Sequence, residues 1–174
     1  WSLTERPGCL RLFLKEEVMH EICTPAFLGR RQQHKEFRMQ FAMDFRPKEE
    51  YEEAGVALVQ DDRYHYTFTV RQKDGARVLT LTEVKNHART VLAETPLEQD
   101  GRIYLTVTAT AEGYHFYYGF RDQEFRLLCK DADPTLLSSL VNEGFTGTYI
   151  GMYATSNHNA SSNYADFDWV LYEA

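Results

Sequence analysis

Two stretches of this chain concentrate side chains that could do chemistry. Arg30-Arg31-Gln32-Gln33-His34 sets two guanidiniums, two carboxamides and an imidazole in a row. These are donors suited to sugar hydroxyls or to a partner's carboxylates; capping of strand ends through hydrogen bonds is the plainer use. Asp166 and Asp168, in Ala165-Asp166-Phe167-Asp168-Trp169, fall on one face of a strand about 6.6 Å apart. Phe167 and Trp169 then point to the other side, into a core. Neighbouring carboxylates repel, so they call for a cation, an arginine or backbone donors. Calcium suits them if several carbonyl oxygens converge, and a salt bridge serves equally.

The rest of the chain offers little to a catalyst. There is no GxSxG, no HExxH, no phosphate-cradling glycine loop and no dinucleotide fingerprint. His20, His34, His65, His87, His115 and His158 are scattered singly, without metal-ligand spacing on any one strand. Glu49, Glu50, Glu52 and Glu53 sit in a charged run that reads as a solvated turn. Tyr104, His115 and Tyr117 alternate with apolar positions and could form a sheet face that stacks on sugar rings.

The element that must position these groups is Glu36–Phe45. Phe37, Met39, Phe41, Met43 and Phe45 recur at every second residue, with Arg38, Gln40 and Asp44 between them. A period of two places the large apolar groups on one face of a strand, whereas a helix would scatter them around its circumference. This predicts a central strand with one core face and one face open to water or to a partner. Arg63–Lys73 and Arg77–Val84 flank Asp74-Gly75, the signature of a tight hairpin. Asp100-Gly101 and Glu112-Gly113 repeat the rhythm, which is that of an antiparallel β-sandwich rather than of βαβ units. About twelve strands in two stacked sheets are expected. The one helical candidate is Pro134–Val141, with Asp133 as N-cap. Lys15–Glu21 is a loop or a single helical turn. Residues 1–8 read as a linker or domain approach and 9–174 as a single domain.

Composition narrows the function further. With 19 basic and 26 acidic residues, 19 − 26 gives a net charge of −7, so a nucleic-acid partner is not expected. No apolar run approaches the roughly 20 residues that a membrane helix needs. Cys9, Cys23 and Cys129 are widely spaced and read as buried or half-buried thiols of a reduced or neutral compartment rather than as a disulfide or zinc scaffold. The first residue is Trp1, as in an excised fragment, which hides any targeting segment.

Four segments, in order over essentially the whole chain, carry a resemblance. They are Phe27-Leu28-Gly29-Arg30-Arg31-Gln32-Gln33-His34, Glu53-Ala54-Gly55 ahead of an apolar strand, Phe145-Thr146-Gly147-Thr148-Tyr149-Ile150-Gly151-Met152-Tyr153-Ala154, and Ala165–Trp169. Together they resemble the C-terminal β-sandwich of glycoside hydrolase family 43, which contains β-xylosidases and α-arabinofuranosidases. The resemblance implies an all-β jelly roll, concanavalin A-like or laminin G-like, packed beside a five-bladed β-propeller that holds the catalytic carboxylates. No catalytic residue then lies in this chain. Its role would be to shape the sugar pocket of that catalytic domain, with Arg30–His34 facing it, and to support quaternary contacts such as a homo-oligomer. The implied ligand is a plant cell-wall oligosaccharide, and the implied setting is a bacterial cytoplasm or periplasm rather than an extracellular site. Calcium sites in many sandwiches of this kind add weight to Asp168 as a ligand of a structural calcium, the one cofactor the resemblance suggests. The rival reading is an autonomous carbohydrate-binding module that grips xylo- or arabino-oligosaccharides on its concave sheet.

Overall fold

A computed structural model describes residues 1–144 and 146–174; Phe145, part of the third segment above, lies outside the described residues. The alternating stretches form twelve strands: β1 (Leu10–Phe13), β2 (Ala26–Arg31), β3 (Phe37–Asp44), β4 (Glu53–Val59), β5 (Tyr64–Lys73), β6 (Ala76–Lys85), β7 (Ala88–Pro96), β8 (Arg102–Ala109), β9 (Tyr114–Gly119), β10 (Arg126–Ala132), β11 (Tyr149–Thr155) and β12 (Tyr164–Glu173). They pair antiparallel into two six-stranded sheets, β1-β12-β3-β8-β9-β10 and β2-β11-β4-β5-β6-β7. The first sheet thus holds the central strand, and the second carries Arg30 and Arg31 on its edge. No helix among the described residues is long and apolar enough to cross a membrane.

The period-2 face of β3 is the heart of the core: Phe37, Met39, Phe41, Met43 and Phe45 are all buried. Opposite them stand Val56 and Leu58 of β4, Tyr66, Phe68 and Val70 of β5, and Leu79 and Leu81 of β6. The rings of Phe68 and Phe116 meet edge to face at 5.3 Å across the two layers. Each such buried side chain contributes roughly 1.5–3 kcal/mol, which is why the alternation dictates the layering. Asp74 and Gly75 take φ of 51° and 77°, the positive values that a two-residue turn joining twisted strands requires.

Three expectations need correction. The second face of β3 is not open: Gln40 and Ala42 are buried, Gln40 in register with Leu171 and Thr106, and Ala42 with Trp169 and Tyr104. Trp169 is on that outer face because the β12–β3 register shifts between Phe167 and Trp169; the extra residue of a bulge flips every side chain beyond it. Glu52 is not part of a solvated turn but 3% exposed. Its carboxylate accepts from Lys48 N, Ser161 Oγ and Asn163 Nδ2 at 2.7, 2.6 and 2.7 Å. Against the upward push of burial, these bonds hold its pKa below the ordinary value.

The segment between β1 and β2 crosses the outer face of the second sheet as an irregular strap. Its backbone is tied to β11 and the loop that follows, so Lys15–Glu21 forms no helical turn: Lys15 O and Glu16 O accept from Ser156 N and His158 N at 2.8 and 2.9 Å, Tyr153 Oη accepts from Met19 N at 3.1 Å, and Met19 packs on Ala57 and Tyr153. The opening residues are also tied down, with Ser2 bridging to Arg11. Asp133 caps as expected, accepting from Thr135 N at 2.8 Å. The stretch it caps is shorter than a continuous helix, a 3₁₀ turn at Pro134–Leu137 followed by one α-turn, α1 (Ser139–Asn142). Cys9, Cys23 and Cys129 are free thiols, and Cys23 is exposed, contrary to the buried or half-buried reading.

Candidate functional site

Arg30 and Arg31 end β2, and the chain then turns through Gln32–Glu36 into β3. This turn is organised around two tyrosines from distant strands. Tyr172 of β12 stacks on Phe37 at 5.4 Å and 14°, which fixes its ring against the core. The Arg30 guanidinium lies over that ring, 4.2 Å from its centroid, and the Tyr172 hydroxyl is 3.1 Å from His34 Nδ1. Arg30 Nη2 also donates to Gln33 Oε1 at 2.7 Å. A guanidinium held both by an aromatic face and by a carboxamide is pre-organised, and loses less freedom when a ligand binds beside it.

Tyr114 of β9 supplies the second anchor. It is 3% exposed, and its hydroxyl donates to Gln32 Oε1 at 2.7 Å. Burial pushes the Tyr114 pKa up to about 12, so the group stays a neutral donor. Gln32 is further fixed through its backbone N–H, which donates to Thr148 O at 2.9 Å, and through Nε2, which donates to His34 O at 2.9 Å. Arg31 reaches Tyr149 Oη at 3.3 Å.

Between this turn and the capped 3₁₀ segment opens a cleft of about 510 Å³, with Gln32, Gln33 and His34 on one side and Tyr114, Leu137 and Ser138 on the other. Leu136 and Leu137 are buried beneath it. The structure therefore brings all five residues of the run to one end of the sandwich. Arg30, Arg31, Gln33 and His34 are exposed there, while Gln32 is half-buried. The sequence reading missed Tyr114, Thr148 and Tyr172. Their partners are 82, 116 and 138 residues away in the chain, the first and last as given by their hydrogen bonds, and alternation marks them only as strand residues.

Asp166 and Asp168 are placed differently. Asp166, 4% exposed, accepts from Arg11 Nε at 2.7 Å and Nη2 at 2.9 Å, and from Arg6 Nη1 at 3.2 Å. Arg102 bridges Asp44, at 2.9 Å, and Asp168, and Arg6 returns to Asp44 at 2.8 Å. The Arg102 hydrogen bonds hold the Asp44 carboxyl below its ordinary range, and the Asp44 partner raises Arg102 in turn. Such a shell does not fit calcium, which needs six to eight oxygen ligands and no cations beside them. No group of three or more His, Cys, Asp or Glu residues is disposed to hold a metal among the described residues.

The aromatic candidates also separate. Tyr104 packs on Trp169 at 5.8 Å on the outer face of the first sheet, and Tyr117 stands across from Thr106 on the same face. His115 is locked inside the structure: its Nδ1 accepts from Asp131 N at 3.1 Å, and its Nε2 is 2.9 Å from Thr110 Oγ1. It cannot stack on a sugar.

An all-antiparallel double layer, with a preorganised polar turn at one end and its paired acidic groups consumed internally, defines a concanavalin A-like sandwich. Residues 1–173 match the family described as Beta xylosidase C-terminal Concanavalin A-like domain, and the chain belongs to that family. It is 35% identical over 169 residues to the non-reducing end α-L-arabinofuranosidase BoGH43B of Bacteroides ovatus, covering 97% of this chain and 32% of that protein. It is 29% identical to a xylosidase/arabinosidase of Butyrivibrio fibrisolvens, covering 99% of this chain and 33% of the relative. The solved structure of the Bacteroides ovatus xyloglucan PUL GH43B protein superposes with a TM-score of 0.92 at 35% identity, over 99% of this chain and 34% of that one. The chain spans about a third of the length of the curated relatives it matches.

Proposed function

We propose that this chain is the accessory sandwich of a xylosidase or arabinofuranosidase type of glycoside hydrolase, and that its Arg30–His34 end docks on the catalytic propeller and forms part of the wall of the sugar pocket. The observation that carries this reading is the state of the run: Arg30 and Gln32 are held by Tyr172 and Tyr114, yet Arg30, Arg31, Gln33 and His34 are all exposed, with Gln33 and His34 lining the cleft. Donors fixed in this way are suited to a partner's carbonyls and carboxylates and to sugar hydroxyls. The relatives named as arabinofuranosidase and xylosidase/arabinosidase support the substrate class.

The test mixes this chain with the catalytic portion of the Bacteroides ovatus relative. A complex in sedimentation velocity, weakened by Arg31→Ala and Gln33→Ala, is the expected result, together with no hydrolysis of aryl xyloside or arabinofuranoside by the chain alone. Turnover by the purified chain, or a complex indifferent to both substitutions, overturns the reading.

A further inference from the structure

We infer that the outer face of the second sheet carries a separate saccharide-binding cleft, which takes one unit of a neutral oligosaccharide. Along this face Thr67 stands opposite Thr82, and Thr69 opposite Thr80. Gly55 is in register with Thr69, and a Cβ there would stand 2.2 Å from Phe68 O, so β4 and β5 approach closely beneath the threonines. The strap of residues 14–25 packs on Ala57 and Tyr153 on the same face. What remains is a cleft of about 390 Å³, lined by Thr80, Thr82, Arg89, Glu53, Asn157 and Tyr51 among others, within the size range of small-molecule sites.

The unused hydrogen-bonding capacity is what points to a ligand. Thr82 is 8% exposed, yet its hydroxyl has no partner among the described residues, although it opens onto the cleft. A ligand hydroxyl in the cleft would supply the partner that the Thr82 side chain lacks. The Arg89 guanidinium has no carboxylate partner among the described residues either. Glu53 accepts from Thr69 Oγ1 at 2.9 Å and from Asn157 Nδ2 at 3.1 Å, which orients its carboxylate and leaves it further acceptor sites.

The lining is balanced in charge. Arg71 is satisfied by Glu94 at 2.8 Å, and the lining carries both signs, Glu50 and Glu53 with Arg71 and Arg89. A neutral ligand dense in hydroxyls therefore fits better than an anion or a cation. Tyr51 and Val91 provide apolar surface for the C–H face of a sugar ring. This cleft is built from residues outside the docking rim, and the inference does not depend on the reading given above.

The decisive measurement is an amide-shift NMR titration of the chain with xylotetraose and, separately, with arabinotetraose. Saturable shifts with either sugar at Thr80, Thr82 and Asn157 are expected. Thr82→Val and Arg89→Ala, each checked for an unchanged fold by its spectrum, should weaken binding about five- to tenfold. Three results overturn the inference: no saturable shifts with either sugar, shifts confined to residues 30–34, or affinities untouched by both substitutions.

Discussion

The Asp166 cluster and the Arg30–His34 turn are both rich in arginine, yet they use their charges in opposite ways. In the cluster, Arg6, Arg11 and Arg102 are matched by Asp44, Asp166 and Asp168, and the network closes on itself across the edge of the first sheet. In the turn, the arginines lean on tyrosine rings at 4.2 and 5.4 Å and have no carboxylate partner among the described residues. An aromatic face orients a guanidinium without neutralising it. A closed ion network holds strands together, whereas an oriented but unneutralised one is available to something outside the chain.

The strongest way to break this contrast is Asp166→Ala. It removes the close carboxylate partner of Arg11, whose side chain is only 13% exposed, leaving Glu5 at 3.8 Å, and should cost about 3 kcal/mol in urea denaturation; a loss below about 1 kcal/mol would show that the network is dispensable. Acid should work in the same direction more gently. Asp44 has its pKa depressed in the folded state below the ordinary 3.8, so its stabilising contribution is complete above that value and drains away as pH falls through it toward the folded pKa. Asp44→Asn should flatten that part of a stability-against-pH curve.

Tyr114→Phe should cost about 1 kcal/mol by deleting the hydroxyl that holds Gln32, and should loosen the turn, seen as faster amide exchange at Gln32. Arg31→Ala and Gln33→Ala should each change stability by less than about 0.5 kcal/mol, as exposed positions do; a larger loss would make the turn structural after all. Smallest of all is the response to calcium. Because guanidiniums occupy the Asp166 and Asp168 oxygens, millimolar calcium or a chelator should leave the melting temperature where it was.

Much of this architecture was legible because alternation is a local signal. The β3 face from Phe37 to Phe45, the Asp74-Gly75 hairpin and the Asp133 cap each follow from a few adjacent residues. The Arg30–His34 run could also be picked out as a group, since its members are contiguous. Illegible were the features that join distant segments. Arg11 and Asp166 are 155 residues apart, and nothing in either neighbourhood selects the arginine over the calcium that two spaced aspartates also suggest. The bulge that moves Trp169 to the outer face involves a single residue within an otherwise regular strand, and a period-2 reading carries no marker for it. The cleft on the outer face of the second sheet depends on strands β4 to β7 lying side by side, so no single stretch contains it.

By itself the sequence determined the two-layer body and where its interior lies, because hydrophobic burial acts on each side chain according to its place in the alternation. Only the tertiary structure decided which polar groups are consumed and which stay free. That outcome depends on distances between partners from opposite ends of the chain, and a few ångströms separate a neutralised carboxylate from an available one.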